Sequence, residues 1–207
     1  MGLASVVAVA DAQGSGKGFI LASSSPRRRQ LLGDAGVCFR IAESKVVEAA
    51  REGESAGDFA LRMAHEKARA VSAASPDAIV LAADTVVECE GRTLGKPVDA
   101  DDAGAMLRML SERTHTVVTG FAIARAGAIV ESARVTSRVT FRSLTEAEID
   151  AYVRSGAPLD KAGSYGIQDW GEGFIVALEG SRENVMGLPV REVLAALARH
   201  GIAPRLR

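Results

Sequence analysis

The segment Ala78-Ile79-Val80-Leu81-Ala82-Ala83 is the clearest indication of the fold class, and Asp84-Thr85 follows it at once. Its unbroken apolar character and its β-branched residues predict a strand that is covered on both faces. In an open α/β sheet, ligands bind beyond the carboxyl ends of such strands. We therefore predict that Asp84 leaves the end of a buried strand at the ligand-binding edge of an α/β sheet.

The carboxylate of Asp84 suits two chemical roles. An aspartate with the ordinary pKa of about 4 is ionised at neutral pH. It can therefore orient or deprotonate water, and it can bind a hard divalent cation. The alternative is that Asp84 only caps the turn after the strand. The local sequence leaves both interpretations open.

Capping signals on either side of this stretch predict an alternation of helices and strands. Ser25-Pro26 is a strong helix start, because serine can cap free amides and proline suits the first helical position. Thr145 and Glu148 form a capping box, which predicts another helix start. The strands on either side of Gly127 are expected to pair antiparallel. The predicted helices are 26–35, 57–74, 99–111, one from Thr145 onward and 188–200, and the predicted strands are 19–22, 37–42, 78–83, 114–124, 128–141 and 173–178.

Composition and charge narrow the class of protein. The chain has 207 residues, of which 47% are hydrophobic and 25% charged, as in an ordinary globular protein. Such a length suits a single compact domain or a pair of small lobes. The formal net charge of −1 provides no long-range attraction for a nucleic acid or an anionic membrane. Neither polymeric nucleic acid nor a membrane is an expected partner.

The N-terminus and the cysteines point to the cytoplasm. Residues 1–10 are apolar but form too short a run, without a leading basic region, for a secretory signal. We treat residues 1–17 as an extension and residues 18–207 as the folded domain. Cys38 and Cys89 lie in unrelated segments without a second ligand nearby, so we expect two buried free thiols and neither a zinc site nor a disulfide.

The segment Ser23-Ser24-Ser25-Pro26-Arg27-Arg28-Arg29 is a candidate phosphate site. Helix N-termini attract anions through free N–H groups and the helix dipole, and arginine adds bidentate hydrogen bonds to phosphate oxygens. The alternative is a capped helix with solvated arginines. Consecutive cations at the positive end of a helix are nevertheless unfavourable unless an anion binds there. This tension favours the functional interpretation.

Two lysines and one glycine-rich stretch complete the candidates. Lys67 and Lys96 could add positive charge to the phosphate site, although an isolated lysine is usually solvated. The stretch Gly14-Ser15-Gly16-Lys17 does not qualify as a P-loop. Position 11 is aspartate where the motif needs glycine, and Gly18 replaces the hydroxyl residue that would reach magnesium.

Short motifs in the same order along the chain resemble the Maf family of nucleotide pyrophosphatases. The resemblance extends from about residue 18 to residue 200. The motifs are Leu21-Ala22-Ser23-Ser24-Ser25-Pro26-Arg27-Arg28, Ala83-Asp84-Thr85, Gly95-Lys96-Pro97, Phe141-Arg142 with Leu144-Thr145, Pro158-Leu159-Asp160-Lys161-Ala162-Gly163, Tyr165-Gly166-Ile167-Gln168 and Asn184-Val185-Met186-Gly187-Leu188-Pro189.

The resemblance implies a fold and a reaction. The implied fold is similar to that of inosine triphosphatase: a mixed, strongly twisted α/β sheet flanked by helices, with two lobes around a nucleotide-binding cleft. The resemblance also implies a homodimer. The reaction is hydrolysis of a nucleoside triphosphate to the monophosphate and pyrophosphate with Mg²⁺ or Mn²⁺. The family's proton-accepting aspartate falls on Asp84, an acidic position linked to metal falls on Glu48, and the triphosphate-binding positions are Ser23, Arg27, Arg28, Lys67 and Lys96.

The same resemblance implies a preference for pyrimidine bases and leaves two rivals. Members that act on dTTP and UTP resemble this chain in Arg27, Thr85 and Gln168. The Gln168 amide offers a donor and an acceptor, which match the N3 and O4 edge of uracil or thymine. One rival is a nucleotide-sensing regulator of cell division that binds without turnover. The other is a pyrophosphatase that prefers 7-methyl-GTP.

Overall fold

The computed structural model describes residues 6–7, 18–168 and 173–205. The chain divides into two compact units. The first unit comprises Met1–Asp84, Thr119–Arg134 and Gly187–Arg207, and the second comprises Thr85–Val118 and Val135–Met186. The predicted extension 1–17 lies outside the described residues apart from Val6–Val7.

Helices and strands alternate along most of the chain, as the sequence patterns predict. Two short 3-10 helices, Ala157–Asp160 and Ala162–Ser164, lie between α4 and β8. In chain order the other elements are β1 (Val6–Val7), β2 (Phe19–Ala22), α1 (Pro26–Asp34), β3 (Arg40–Ala42), α2 (Ala56–Ala73), β4 (Ile79–Cys89), β5 (Arg92–Leu94), α3 (Ala100–Leu110), β6 (Thr114–Arg125), β7 (Ala128–Phe141), α4 (Glu146–Arg154), β8 (Ile175–Glu179), α5 (Arg182–Met186) and α6 (Val190–Arg199).

The sheet is mixed, which confirms the expected fold class. Its strand order is β1-β3-β2-β4-β6-β7-β8, and β5 pairs with β4. Strand β2 runs parallel to both β3 and β4. The pairs β1–β3, β4–β5 and β7–β8 are antiparallel. At the turn between β6 and β7, Ala126 and Gly127 both have positive φ, as a two-residue hairpin requires.

Small residues build the core of the first unit. Alanines of α2, among them Ala64 and Ala68, are buried with Ala122 and Ala124 of β6. Gly120 lies on the same strand, and a Cβ there would come within 2.6 Å of the backbone of Ala60 and Leu61. Helix α2 therefore packs directly on the strand backbone, which only glycine permits at this position.

Aromatic rings build the core of the second unit. His115, Phe141, Tyr165 and Phe174 pack edge to face, with ring centroids 4.8 to 5.9 Å apart. Tyr152 joins them through Phe174 at 5.4 Å. Such contacts add to the stabilisation that burial of the rings provides.

Several predictions from local sequence were wrong in detail. Strand β3 covers Arg40–Ala42, where 37–42 was expected, and neither β5 nor α5 was expected. Both cysteines are free, as predicted, but Cys38 is exposed and only Cys89 is buried. None of the helices within the described ranges is long and apolar enough to cross a membrane.

Candidate active site

Asp84 lies inside strand β4, so the prediction that it leaves the end of a strand was wrong. The strand continues to Cys89 because its later residues pair with β5. The parallel neighbour β2 does end before this level: Leu21 is opposite Leu81, and β2 stops at Ala22. The Asp84 carboxylate is therefore placed beyond the carboxyl end of β2, and no turn follows for it to cap.

The chain leaving β2 turns directly into helix α1, as the Ser25-Pro26 signal predicts. Ser25 is the N-cap, its side chain accepts the backbone N–H of Arg28, and Pro26 occupies the first turn. The buried Ser23 hydroxyl accepts the backbone N–H of Ser25 at 3.2 Å. The first turn of α1 contains no acidic residue of its own, and Arg27 and Arg28 stand at the positive end of the helix dipole.

Arg28 is held against the backbone of a distant segment. Its Nε donates to the carbonyl oxygen of Gly187 at 2.7 Å. Burial lowers the pKa of Arg28, attraction by Asp84 and Glu48 raises it, and repulsion by Arg27 lowers it further. A guanidinium remains charged even so. Arg28 therefore presents a fixed positive charge to Asp84 and Glu48.

Lys67 joins two carboxylates. Its Nζ lies 2.5 Å from Oδ1 of Asp84 and 2.5 Å from Oε1 of Glu48. Lys67 is only 7% exposed because it lies on the buried face of α2, one turn from Met63 and Ala64. The ammonium group is thus fixed by two acidic residues that are distant in sequence.

The environment of Asp84 makes it a better proton acceptor than an ordinary aspartate. It is 5% exposed. Burial raises the pKa of Asp84, while Lys67 and Arg28 lower it and the like charge of Glu48 raises it again, with a net rise. A buried carboxylate beside specific charged partners is typical of a functional site.

Thr85, Lys96 and Gln168 belong to the second unit. Thr85 follows Asp84 on β4, so the two side chains lie on opposite faces of the strand. Lys96 is exposed. Gly95, just before it, accepts the N–H of Gly163 at 3.0 Å. Gln168 is exposed and directly precedes residues outside the described part of the chain. Their roles stay predictions, as do those of Ser23 and Arg27.

Sequence reasoning missed the carbonyl of Gly187 as the partner of Arg28. The signal was present, because Gly187 stands in the Asn184–Pro189 motif. Its φ of +115° is one that side-chain-bearing residues rarely adopt. Within the described ranges, no cluster of three or more histidine, cysteine or acidic residues is placed to hold a metal ion.

Known proteins resemble this chain along most of its length. The family described as Maf-like protein matches residues 18–200. The dTTP/UTP pyrophosphatase of Myxococcus xanthus is 49% identical over 184 residues, which cover 88% of this chain and 92% of that protein. The dTTP/UTP pyrophosphatase of Anaeromyxobacter dehalogenans (strain 2CP-C) is 48% identical over 185 residues, covering 88% and 93%. Among solved structures, the Ham1 protein of Staphylococcus aureus matches with a TM-score of 0.47 and 15% identity, covering 89% of this chain and 100% of that chain.

Proposed function

The chain belongs to the Maf-like protein family, and on that premise we propose that it hydrolyses dTTP and UTP to the monophosphate and pyrophosphate. The names of the Myxococcus and Anaeromyxobacter relatives support this choice of substrates. A sensor without turnover or a preference for 7-methyl-GTP has no comparable support.

One observation carries the proposal: Lys67 is shared by Glu48 and Asp84, and Arg28 acts on both carboxylates. Lys67 and Asp84 are both buried, and the first turn of α1, from which Arg28 extends, contains no acidic residue of its own. Phosphoryl transfer needs positioning and charge neutralisation more than covalent help, and this arrangement supplies both.

Each residue has a defined task in the proposed reaction. Lys67 binds Oδ1 of Asp84, which fixes the carboxylate while Oδ2 accepts a proton from the attacking water. The oxygen of that water forms a bond to the α phosphorus as the bond to the bridging oxygen breaks. Arg28 and Lys67 stabilise the negative charge that the pyrophosphate leaving group carries away. Asp84 returns its proton to solvent afterwards.

The residues present fit a divalent cation. Glu48 and Asp84 each place a carboxylate oxygen 2.5 Å from the same Lys67 nitrogen, so the two carboxylates are close neighbours. Mg²⁺ and Mn²⁺ sites in nucleotide enzymes use one or two carboxylates, with phosphate oxygens and waters completing the shell. A bound cation supplies Lewis-acid polarisation of the phosphate oxygens.

The test is pyrophosphate release from a panel of dTTP, UTP, CTP, ATP, GTP and 7-methyl-GTP with Mg²⁺ or Mn²⁺. We expect the highest kcat/KM for dTTP and UTP. The Asp84→Asn variant should lose about 10²- to 10⁴-fold in kcat, the usual contribution of a general base. Asp77→Asn, which alters an exposed carboxylate before β4, is the matched control and should keep its rate.

Three outcomes would contradict the proposal. Full turnover by Asp84→Asn would remove the role assigned to that carboxylate. Nucleotide binding without pyrophosphate release across the panel would favour a sensor. A higher kcat/KM for 7-methyl-GTP than for UTP would show that the preferred substrate is a modified purine nucleotide and not a pyrimidine nucleotide.

A further inference from the structure

Glu48 lies on an irregular segment, and something must hold its carboxylate against Lys67. Residues 43–55 connect β3 to α2 without helix or strand. We propose that Arg62 of α2 is a positioning residue that fixes this connection and so sets the place of Glu48. The inference rests on the proposed function, in which Glu48 serves the reaction.

The first contact is with the backbone next to Glu48. Nη2 of Arg62 donates to the carbonyl oxygen of Ala49 at 2.9 Å. Ala49 follows Glu48 directly, so this hydrogen bond restrains the Ala49–Ala50 peptide, one residue beyond the Cα that carries the Glu48 side chain. Helix α2 thus restrains this region twice, through the backbone of the next residue by Arg62 and through the Glu48 carboxylate by Lys67.

The second contact is a two-pronged ion pair with Glu54. Arg62 donates through Nε to one oxygen and through Nη2 to the other, both at 2.6 Å. The two side chains are only 16% and 10% exposed. Bidentate arginine–carboxylate pairs fix orientation as well as distance. The hydrogen bond with Arg62 lowers the pKa of Glu54 to about 2, so the pair stays ionised across the physiological pH range.

Glu54 in turn closes the end of the connection. Its carboxylate accepts the backbone N–H of Arg51 at 3.0 Å. Its own N–H donates to the carbonyl oxygen of Arg51 at 3.1 Å. The following residue, Ser55, is the N-cap of α2. Arg62 therefore holds the connection on both sides of the Arg51–Glu54 turn.

Arg62 also contacts Glu66 on its own helix, and Glu66 in turn accepts a hydrogen bond from Arg51 of the connection at 3.5 Å. Nη1 of Arg62 donates to Glu66 at 3.1 Å, one turn along α2. Pairs of this spacing along a helix contribute little. Among the hydrogen bonds that Arg62 itself donates, those to Ala49 and Glu54 cross from the helix to the connection, and they are the ones that matter for position.

The alternative is that Arg62 only stabilises the start of α2. Kinetics distinguishes the two interpretations. A structural role lowers the unfolding midpoint and leaves kcat of the folded enzyme unchanged. If Arg62 positions Glu48, loss of Arg62 lowers kcat. The same loss has no further effect on kcat in a variant that already lacks the Glu48 carboxylate.

The experiment is a double-mutant cycle on pyrophosphate release from dTTP. Its members are Glu48→Gln, Arg62→Gln and the variant with both changes, with kcat, KM and the urea midpoint measured for each. We expect Arg62→Gln to lower kcat about 10- to 100-fold, the usual effect of a residue that orients a ligand group. The double variant should match Glu48→Gln alone. The control is Arg134→Gln, which breaks an exposed ion pair between β7 and Asp58 of α2 and should leave kcat unchanged.

The outcomes separate failure of this inference from failure of the proposed function. If Glu48→Gln keeps full kcat, the role of Glu48 in the proposed function is wrong. If Glu48→Gln loses activity and Arg62→Gln does not, the positioning role is wrong. Equal loss from Arg62→Gln in both backgrounds also overturns it. If Arg62→Gln does not fold, Arg62→Lys replaces it with the same expectations, because lysine cannot bond Glu54 and Ala49 in the same geometry.

Discussion

Acidification should destabilise the protein through the imidazole of His115. This ring is 1% exposed on β6. Its Nε2 lies 2.8 Å from the Tyr165 hydroxyl, its edge meets Phe141, and its Nδ1 has no hydrogen-bond partner within the described residues. Protonation would leave a charged N–H in this apolar cluster without an acceptor. Burial accordingly lowers the pKa of His115 from 6.5 to about 4.

The sign and the size follow from linkage. Because the folded pKa lies below the unfolded one, the unfolded chain binds more protons between pH 6.5 and about 4. Stability is therefore complete above pH 6.5 and is lost as the pH falls toward 4. The difference in pKa corresponds to about 3 kcal/mol in total, most of which is lost by about pH 4.5.

The assay is urea unfolding at pH 7.5 and pH 4.5, with His115→Gln as the reference. Glutamine keeps a polar group near Tyr165 but does not titrate in this range. The wild-type free energy of unfolding should fall by about 2 to 3 kcal/mol more than that of the variant. Equal pH dependence in the two proteins, or an NMR titration of the folded His115 ring near 6.5, would refute the reasoning.

Three further predictions concern packing, capping and substrate binding. Gly120→Ala should lower the free energy of unfolding by about 1–3 kcal/mol, because its Cβ would meet the α2 backbone, while Gly33→Ala on the open side of α1 should not. Thermal unfolding of the two variants tests this difference in stability. Thr145→Ala should lower the free energy of unfolding by about 1 kcal/mol, because it removes the capping box of α4. An unchanged urea midpoint would contradict this prediction. Arg28→Lys should raise KM for dTTP about 10-fold, because lysine keeps the charge but not the oriented bond to Gly187. An unchanged KM in steady-state kinetics would contradict that role.

Signals carried by neighbouring residues predicted local structure well. Ser25-Pro26 marked the start of α1, and Thr145 with Glu148 marked the start of α4. The run Phe19–Ala22 was identified as a strand with its observed bounds. These predictions succeed because a cap or an apolar run acts within one turn or one strand, where the chain itself supplies the partners.

Predictions that depended on distant partners were less accurate. Strand β4 extends past Asp84 because β5 pairs with its later residues, and β5 had no sequence signal of its own. Cys38 is exposed although cysteine is usually buried. Pairing and burial are decided by the whole packed chain, so a local pattern does not determine them.

The amino-acid sequence by itself determined the chemical groups of the candidate site: a carboxylate after an apolar run, arginines at a helix start, and a lysine on a helix face. How these groups come together depends on the folded chain. Lys67 bonds Asp84 across 17 positions, and Arg28 bonds Gly187 across 159. The Lys67–Asp84 pair requires desolvation by the sheet and α2 together, because in water an ion pair would hold no fixed geometry. The Arg28 hydrogen bond requires that folding bring the distant Gly187 carbonyl to α1.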